Sequence, residues 1–516
     1  MSDKSLNNVP VLVVGAGIMG VGIAQVAAQA GHAVMLYDTR EGAALDAKAK
    51  LTASLQALVA KGKLDAAAVA QTLERISAIG TLQEAASAGL VVEAIIEKLD
   101  AKRGLFQQLE SIVGADCILA TNTSSISVTA VANGLQRPQR LVGMHFFNPV
   151  PLMKLVEVVS GLQTDAAVAQ AIFDLSTRWG KVAVHARSTP GFIVNRIARP
   201  YYAETLALLQ EQAATPTVLD ACLRAAGFRM GPCELIDLIG HDTNFAVTQS
   251  VFEANFYDKR FVPSLVQREM VDGGLLGRKS GRGFYAYGAD AAVPQLAAYV
   301  AAALPAAQKI TVHGGGAVAK LLLQALDAAV DAAISLGEVT APAIHNEPGS
   351  DWVGLDIDDK QLRLTDGRCA TQLGGEVAVF DLPLRGKGSS VGIANAPLAW
   401  AVSARASDVW ATQAGQWLQA LGFNAQRVAD TPALVVARTI AMLVNEAADA
   451  VHQGVCTEQG ANDAMKLGVN YPAGPFEWLA QWGVLPVVQV LDALDLHYRG
   501  ERYRLSPLLR QRAWRG

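Results

Sequence analysis

The sequence has 516 residues, of which 51% are hydrophobic and 17% are charged, and its formal net charge is −4. This composition supports several buried cores and argues against a disordered chain, and the length predicts three or four domains. The small net charge argues against nucleic acid or an anionic membrane as the main partner, although a local basic cluster could still hold an acidic ligand.

Cysteine usage and the first residues predict the cellular setting. The cysteines are odd in number, scattered and without metal-ligand spacing: Cys117, Cys222, Cys233, Cys369 and Cys456. This pattern predicts a reducing cytoplasm and no metal site. The opening MSDKSLNN shows no basic region followed by an apolar run, so no signal peptide is expected. Residues 5–37 lack charged side chains, but the proline, glycines and glutamines there favour a strand–turn–helix–strand unit over a membrane helix.

The first predicted elements are a buried strand, a glycine-rich turn and a helix. Residues 9–14 read VPVLVV, GAGIMG follows at 15–20, and an alanine-rich helix ends at Gly31. The three glycines permit a tight turn, close approach of a pyrophosphate and close packing of helix on sheet, and the helix N-terminus offers free N–H groups to phosphate. The expected cofactor contacts in this turn are Gly15, Gly17, Ile18, Met19 and Gly20.

The second predicted strand, residues 32–38, ends in an acidic residue. Asp38 lies 18 residues after Gly20, where a carboxylate can accept hydrogen bonds from ribose hydroxyls. Arg40 could accommodate a 2′-phosphate, but Asp38 would repel it, so the pattern favours NAD over NADP. An ordinary strand–helix turn with no ligand is the alternative interpretation.

Further apolar runs predict the rest of a doubly wound sheet. The additional strands are expected at residues 90–96, 117–120, 141–146 and 155–159. Helical stretches separate the earlier strands. The last two are joined only by residues 147–154, which is too short for a parallel crossover, so this pair should be antiparallel.

Two residues on that strand pair could carry acid–base chemistry. A hairpin centred on Pro151 would place His145 and Glu157 directly opposite each other. Glu157 would then fix the imidazole tautomer and stabilise the imidazolium that forms when His145 takes a hydroxyl proton. A core histidine satisfied by a nearby carboxylate is the alternative, and spacing alone does not separate the two.

A series of motifs resembles the 3-hydroxyacyl-CoA dehydrogenase family. In family order they are GAGIMGVGIAQVAAQAGH, VEAIIE, TNTSS at 121–125, HFFNPVPLMKLVEVV at 145–159, TPGFIVNRI at 189–197 and GRKSGRGFYAYG at 277–288. The resemblance implies a Rossmann fold and NAD-dependent oxidation of (S)-3-hydroxyacyl-CoA to 3-oxoacyl-CoA. The length, with a second helical copy, resembles the 3-hydroxyadipyl-CoA dehydrogenases of aerobic phenylacetate breakdown. It implies 3-hydroxyadipyl-CoA or 3-hydroxybutyryl-CoA as the substrate.

The resemblance also assigns roles to matching positions. His145 and Glu157 would be the catalytic pair, Ser124 would hydrogen-bond the substrate oxygen, and Asn195 would contact the substrate near the reacting centre. The remaining implied contacts are with the cofactor at Glu97, Lys102, Ser124, Asn148 and Lys279, and with the CoA moiety at Ser54 and Lys61. Ser54 and Lys61 lie seven residues apart and so on one helix face, which could equally be a solvated surface. Ser124 and Asn195 could equally be a loop turn and a helix start.

After residue 188 the pattern becomes helical, and it occurs twice. One long helix is expected over 191–212, after the Thr189–Pro190 break, and another in 227–240. Residues 431–457 align with 189–215, and GPFEWLAQWG at 474–483 aligns with GPCELIDLIG at 231–240. Asn195 is replaced by Ala437 in the second copy, so that copy is predicted to be a structural partner without an active site of its own.

The segment between the copies echoes the start of the chain. Residues 309–316 read KITVHGGG, but the helix-side glycine is missing and no HFFNP-like segment follows. The expected fold is therefore α/β, with a Rossmann-type domain at 1–188, a helical domain at 189–290, a degenerate α/β domain without cofactor at 305–430 and a second helical domain at 431–516.

Two other functions remain open from the sequence. One is a dehydrogenase of free 3-hydroxy acids, for which a lysine base is expected instead of a His–Glu pair. The other is a non-enzymatic, NAD-binding protein of the kind found among lens crystallins. The expected partner is an acyl-CoA thioester substrate, with no nucleic acid or membrane, and homo-oligomerisation is left open.

Overall fold

The alternating apolar and helical segments build two sheets and two sets of helices in the computed structural model, which describes residues 6–288, 291, 295–337, 340–384 and 395–516. The strands of the described chain are β1 Val11–Val14, β2 Val34–Tyr37, β3 Ile76–Ala78, β4 Leu90–Glu93, β5 Ile118–Thr121, β6 Leu141–Phe146, β7 Leu155–Ser160, β8 Val182–Arg187, β9 Lys309–His313, β10 Ala343–Glu347, β11 Gly354–Ile357, β12 Lys360–Leu364, β13 Val377–Phe380, β14 Ala396–Val402 and β15 Phe423–Arg427.

The described residues also form the α-helices of the chain. They are α1 Ile18–Gln29, α2 Ala43–Ala60, α3 Ala66–Glu74, α4 Leu99–Ile112, α5 Val128–Ala132, α6 Ala166–Arg178, α7 Val194–Ile197, α8 Arg199–Gln210, α9 Pro216–Ala225, α10 Pro232–Ile239, α11 His241–Ala254, α12 Leu265–Asp272, α13 Gly316–Ser335, α14 Ala370–Leu373, α15 Asp408–Ala420, α16 Val436–His452, α17 Glu458–Gly468, α18 Pro475–Trp482, α19 Val484–Tyr498 and α20 Pro507–Arg515.

The chain divides into two compact units. The first contains the described residues of Met1–Arg196 together with Ala450–Val469, and the second contains those of Ile197–Asp449 and Asn470–Gly516. The boundaries of the four domains expected from the sequence stay predictions. The units follow a different division, because α17, which belongs to the second helical copy, packs on β7 and β8.

The sheet of the first unit is the expected doubly wound sheet. Its strand order is β3-β2-β1-β4-β5-β6-β7-β8, with every neighbouring pair parallel except β6 and β7. Helices α1, α2, α3 and α6 pack their apolar faces on it and form one core with the strands. The parallel strands place their carboxyl ends, and the turns that follow them, along one edge of the sheet.

Several predicted elements change their bounds for local reasons. The strand expected over 90–96 ends at Glu93, because its side chain turns back to accept the N–H of Ile95 at 2.7 Å. The single helix expected over 191–212 is wrong: α7 begins only at Val194, since Gly191 and Phe192 have φ of 77° and 47°, and α8 restarts after Ala198. Strands β3 and β8 were not predicted. One has only three residues, and the other exposes Val182 and His185.

The second unit contains the degenerate sheet expected between the helical copies. Its order is β10-β9-β11-β12-β13-β14-β15, a mixed sheet. Helices α13 and α15 pack on it and share its core. Helix α9 of the first helical copy packs against β14.

The two helical copies exchange equivalent contacts. In the first unit the Arg187 N–H donates to the Val455 carbonyl at 2.9 Å, and in the second unit the Ala429 N–H donates to the Ala213 carbonyl at 2.9 Å. These two bonds join matching positions of the repeat with the copies interchanged. Each copy therefore packs on the sheet that precedes the other copy, which is the arrangement expected of a structural partner.

A membrane span needs a long apolar helix, and a metal site needs a cluster of ligating side chains. In the described part of the chain no single helix is long and apolar enough to cross a membrane; only α18 and α19 taken together, which are bent by 103°, meet the length and composition criteria. Within the same described residues, no group of three or more His, Cys, Asp or Glu side chains could hold a metal ion.

Candidate active site

The β6–β7 hairpin brings the predicted catalytic pair together. The strands pair antiparallel with His145 directly opposite Glu157, and His145 Nδ1 lies 2.6 Å from Glu157 Oε2. The predicted facing positions are confirmed. Because the two residues are cross-strand neighbours, the sheet itself holds them in this geometry.

Glu157 is held at both carboxylate oxygens. Its Oε1 accepts the backbone N–H groups of Ile193 at 3.1 Å and Val194 at 2.9 Å. The positive φ values at Gly191 and Phe192 turn these two N–H groups towards the carboxylate. Glu157 is fully buried and His145 is 5% exposed. The hydrogen bonds offset the cost of burying the carboxylate, so the pair is preorganised.

Asn195 directly follows Val194, whose N–H donates to Glu157, and it contacts Ser124. Asn195 Nδ2 donates to the Ser124 carbonyl at 3.4 Å, across 71 residues of chain. The Ser124 N–H donates to Glu97 Oε1 at 2.9 Å. These hydrogen bonds link the loop of Ser124 to Asn195 and to Glu97. The roles assigned to the side chains of Ser124 and Asn195 stay predictions.

Ser124 contacts an ion-pair cluster of Glu93, Glu97 and Lys102, in which Glu93 and Lys102 are buried and Glu97 is exposed. Lys102 Nζ contacts Glu93 Oε1 at 2.6 Å and Glu97 Oε2 at 3.1 Å, and its side chain is 1% exposed. Burial raises the pKa of Glu97, but Lys102 and the Thr123 hydroxyl outweigh it, so that pKa lies below its usual value. In this structure Lys102 is therefore ion-paired with two carboxylates. Glu93 was missed by sequence reasoning, although an acid ending an apolar strand was a signal for it.

The glycine turn fits a dinucleotide. A Cβ on Gly15 would lie 2.4 Å from the Ala94 carbonyl oxygen, and one on Gly20 would lie 1.7 Å from the Gly15 carbonyl oxygen. At Gly17 a Cβ would meet nothing within 4 Å, so the turn is open there. Two glycines are needed by the fold and the third leaves space for a ligand. The N-terminus of α1 carries no side-chain cap, which leaves its N–H groups for phosphate.

A groove of about 520 Å³ adjoins this turn. It lies among α1, α2 and the loop at Pro151, and its lining includes Gly17, Arg40, Lys50 and Ser54. Arginine and lysine side chains at its wall suit a phosphate-bearing ligand. The structure thus brings Ser54 next to the glycine turn.

Asp38 closes the end of β2 against the glycine turn. Its Oδ2 accepts the Ala16 N–H at 2.9 Å, and its Oδ1 accepts from the Arg40 N–H at 3.0 Å and Arg40 Nε at 3.2 Å. Burial raises the pKa of Asp38, but the hydrogen bonds from Ala16 and Arg40 outweigh it, and the pKa lies below its usual value. The carboxylate is charged and already positioned.

The other predicted contact residues lie in several different elements. Lys61 ends α2 and is exposed, as is Asn148 in the loop after β6. Ile18 is exposed at the start of α1 and Met19 is half-buried. Lys279 belongs to the second unit, where its Nζ pairs with Asp242. These four positions stay predictions, as does that of Lys279.

The second sheet carries no equivalent pair in its described residues. Its antiparallel strands β13 and β14 pair Val379 with Ala401 at the position that His145 and Glu157 occupy in β6 and β7, one residue before the strand end. A different carboxylate, Asp381, accepts the N–H groups of Val435, Val436 and Ala437, the positions that match residues 193–195. The carboxylate that holds this turn is kept, and the predicted catalytic pair has no counterpart at these strand positions.

Comparison with known proteins places the chain. Family models for 3-hydroxyacyl-CoA dehydrogenase match in order: the NAD binding domain at residues 10–189, and the C-terminal domain at 191–287 and again at 434–516. The 3-hydroxybutyryl-CoA dehydrogenase reduced Rossmann-fold domain matches 362–432. A 3-hydroxyadipyl-CoA dehydrogenase of Escherichia coli is 44% identical over 513 residues, 98% of each chain.

The chain belongs to the 3-hydroxyacyl-CoA dehydrogenase family. The solved structure of a 3-hydroxybutyryl-CoA dehydrogenase from E. coli has a TM-score of 0.85 and 43% identity, covering 99% of each chain. A probable 3-hydroxybutyryl-CoA dehydrogenase of Bacillus subtilis is 41% identical over 278 residues, which is 54% of this chain and 96% of that protein. This short relative matches only part of the present chain.

Family membership confirms the fold class and the enzyme class predicted from the sequence. The chain is an NAD-dependent 3-hydroxyacyl-CoA dehydrogenase, an oxidoreductase, with a Rossmann-type first domain. The middle segment matches a reduced Rossmann-fold domain, in agreement with the degenerate α/β domain expected there. The enzyme class replaces the non-enzymatic alternative, and the relatives are named for CoA thioesters and not for free 3-hydroxy acids.

Proposed function

We propose that His145 is the general base in oxidation of an (S)-3-hydroxyacyl-CoA to its 3-oxo product, and that Glu157 orients it. The observation that supports this is the 2.6 Å contact between His145 Nδ1 and Glu157 Oε2, with the second carboxylate oxygen held by two backbone N–H groups. A charged carboxylate only accepts, so the imidazole proton sits on Nδ1 and Nε2 is left to take a proton.

The proton then moves along the chain's own residues. The substrate hydroxyl gives its proton to His145 Nε2, and the imidazole becomes positively charged. Glu157 stabilises that charge from a buried position, where the attraction is weakly screened. The glycine turn and Asp38 would hold NAD, which would supply the acceptor for the hydride that leaves the same carbon. We assign the Ser124 hydroxyl as a donor to the reacting oxygen, and the Asn195 carboxamide, which contacts the Ser124 carbonyl, as a substrate contact.

The CoA moiety is proposed to lie along α2. Ser54 lines the groove beside the glycine turn, and Lys61 ends the same helix. Lys50 and Arg40 add positive charge to that wall, which suits the phosphates of a CoA thioester. We take NAD contacts to be those of the glycine turn, Asp38, Glu97, Asn148, Lys102 and Lys279.

The acyl group is proposed to be that of 3-hydroxyadipyl-CoA, since the E. coli relative that matches over nearly the whole chain has that name. The solved E. coli structure, which is named a 3-hydroxybutyryl-CoA dehydrogenase, favours 3-hydroxybutyryl-CoA as the second candidate.

The cellular setting is proposed to be the cytoplasm, in agreement with five free cysteines. No nucleic acid or membrane partner is proposed.

A kinetic panel tests this assignment. We expect NAD-dependent oxidation of 3-hydroxyadipyl-CoA with a higher kcat/KM than that of 3-hydroxybutyryl-CoA or a longer monocarboxylic 3-hydroxyacyl-CoA. Free 3-hydroxyadipate serves as the control and should not turn over. A higher kcat/KM for 3-hydroxybutyryl-CoA would assign the second candidate, and turnover of the free acid would contradict the requirement for CoA.

Replacing Asp38 with alanine should narrow the preference for NAD over NADP. The charged carboxylate opposes a 2′-phosphate, and Arg40, which pairs with Asp38, becomes free to bind one in the variant. The measurement is the ratio of kcat/KM for the two cofactors, which we expect to fall by about tenfold or more. Arg40→Ala is the matched control and should leave NADP disfavoured. An unchanged ratio in Asp38→Ala would mean that another group reads the ribose.

A further inference from the structure

One helix of the second helical copy covers the part of the first sheet that carries Glu157. Helix α17 packs on β7 and β8 and buries Ala461, Ala464 and Met465 completely. A Cβ added at Gly460 of this helix would lie 2.8 Å from Val184 Cγ1, and Val184 is the register partner of Glu157. The helix therefore lies against the strand segment that positions the catalytic carboxylate.

The end of α17 makes the closest approach. A Cβ at Gly468 would lie 2.7 Å from Leu155 Cδ2, 3.0 Å from Val194 Cγ2 and 3.7 Å from Phe147 Cε1. Gly468 is buried in the helix, so the absence of a side chain is what lets these three side chains occupy their places.

All three neighbours of Gly468 lead directly to the catalytic pair. The Val194 N–H donates to Glu157 Oε1 at 2.9 Å. The Phe147 ring lies 4.5 Å from the His145 ring, centroid to centroid. Leu155 is two residues before Glu157 on β7 and so points to the same face of the sheet. A displacement of any of them would move His145 or Glu157.

The segment that leads into α17 makes two further contacts, one with α7 and one with the end of β8. Gln453 Oε1 accepts from Arg196 Nη1 at 2.8 Å, and Arg196 follows Val194 in α7. The Val455 carbonyl accepts the Arg187 N–H. Burial and the nearby Glu157 carboxylate raise the pKa of the Cys456 thiol to about 12, which is a further sign that this segment lies close to Glu157.

We propose that Gly468 is a positioning residue for the His145–Glu157 pair, and that the second helical copy thereby completes the active site of the first. The copy supplies no group that touches substrate. It supplies Gly468, the last residue of α17, and because this residue has no side chain, Phe147 and Val194 can pack against it. This inference rests on the proposed function for the role of the pair, and on the geometry alone for the packing.

The variant Gly468→Ala tests the proposal by adding one methyl group at this contact. We expect kcat to fall about 10- to 100-fold, because small displacements of reacting groups have effects of that size, with the KM for NAD unchanged. Gly89→Ala is the matched control: its Cβ would lie 2.7 Å from Val9 Cβ, at the amino end of β4 and away from the pair. It should keep wild-type kcat. Leu155→Val combined with Gly468→Ala removes Leu155 Cδ2, the methyl that would lie 2.7 Å from the new Cβ, and should restore most of the lost rate.

A spectroscopic measurement separates this proposal from the mechanism itself. A short hydrogen bond from imidazole to carboxylate gives a low-field proton resonance, assigned here by its loss in Glu157→Gln. In Gly468→Ala that resonance should shift or disappear, and in Gly89→Ala it should not. An unshifted resonance with unchanged kcat would overturn the proposal. A shifted resonance with full activity would support the packing and overturn the catalytic role of the pair.

If Gly468→Ala does not fold, Gln453→Ala decides the question. It removes the acceptor that Arg196 contacts without adding volume. We expect kcat to fall several-fold with the same change in the low-field resonance. Wild-type kcat and an unchanged resonance in this variant would overturn the proposal.

Discussion

Replacing His145 with alanine is expected to lower kcat by about 10²–10⁴ while NAD still binds, because the base that takes the hydroxyl proton is lost. His145 lies on β6 and not in the glycine turn that is proposed to bind the cofactor, so the affinity for NAD should stay near that of the wild type. The measurement combines steady-state kinetics with a fluorescence titration of NAD. Near-normal turnover would contradict the mechanism.

Two further variants make this test specific. His185→Ala is the matched control, since His185 lies on β8 of the same sheet, where its ring stacks on Phe173, and it should keep kcat. Glu157→Gln keeps the shape of the side chain but removes the charge that stabilises the imidazolium, so kcat should also fall. A loss confined to KM would instead make Glu157 a binding residue.

Truncation before Pro305 is expected to convert the chain into dimers or aggregates. The cut removes α17 and so exposes the apolar face of β7 and β8. It also removes Arg438 and Arg502, which contact the buried Glu204 at 2.9 and 2.8 Å. A buried charge that loses its partners costs about 3–5 kcal/mol. Size-exclusion chromatography with light scattering and thermal unfolding measure the result.

Dimers are the favoured outcome because the first copy contains what the second copy supplies. In the repeat, Arg196 of the first copy matches Arg438 of the second, and Arg260 matches Arg502. Arg260 contacts Glu446 in the same way that Arg502 contacts Glu204. A second truncated molecule can therefore provide the missing arginines. Glu204→Gln in the truncated chain removes the buried charge and leaves only the apolar face as a cause of association. A truncated protein that stays monomeric, soluble and as stable as the full chain would contradict the structural role of residues 431–516.

Features that depend on neighbouring residues were predictable from the sequence. The glycine turn lies within six residues, and its requirements are set by backbone sterics at Gly15 and Gly20. The His145–Glu157 pair lies across a short hairpin, so the loop length and the alternation of the strands determine the register. The same reasoning failed at residues 191–193, where a long-range carboxylate holds the backbone out of the helix that local propensity favours.

Other parts of the site depend on contacts that sequence patterns do not encode. An apolar helix face shows that a helix is buried, but not which surface buries it. Nothing in the pattern of residues 458–468 pointed to β7 and β8, which lie about 300 residues earlier in the chain. The burial of Lys102 between two carboxylates was equally hidden, because a lysine in an amphipathic helix usually faces solvent.

The fold class, the glycine turn, the facing positions of His145 and Glu157 and the loss of Asn195 in the second copy followed from the sequence, because each depends on residues close together or on a direct alignment of the repeat. Three contacts became visible only in the folded chain: the N–H groups of residues 193 and 194 hold Glu157, Asp381 takes the equivalent place in the second sheet, and Gly468 lies against Leu155, Phe147 and Val194. These contacts join distant segments, and their geometry follows from how complete faces pack, which requires every partner to be in place.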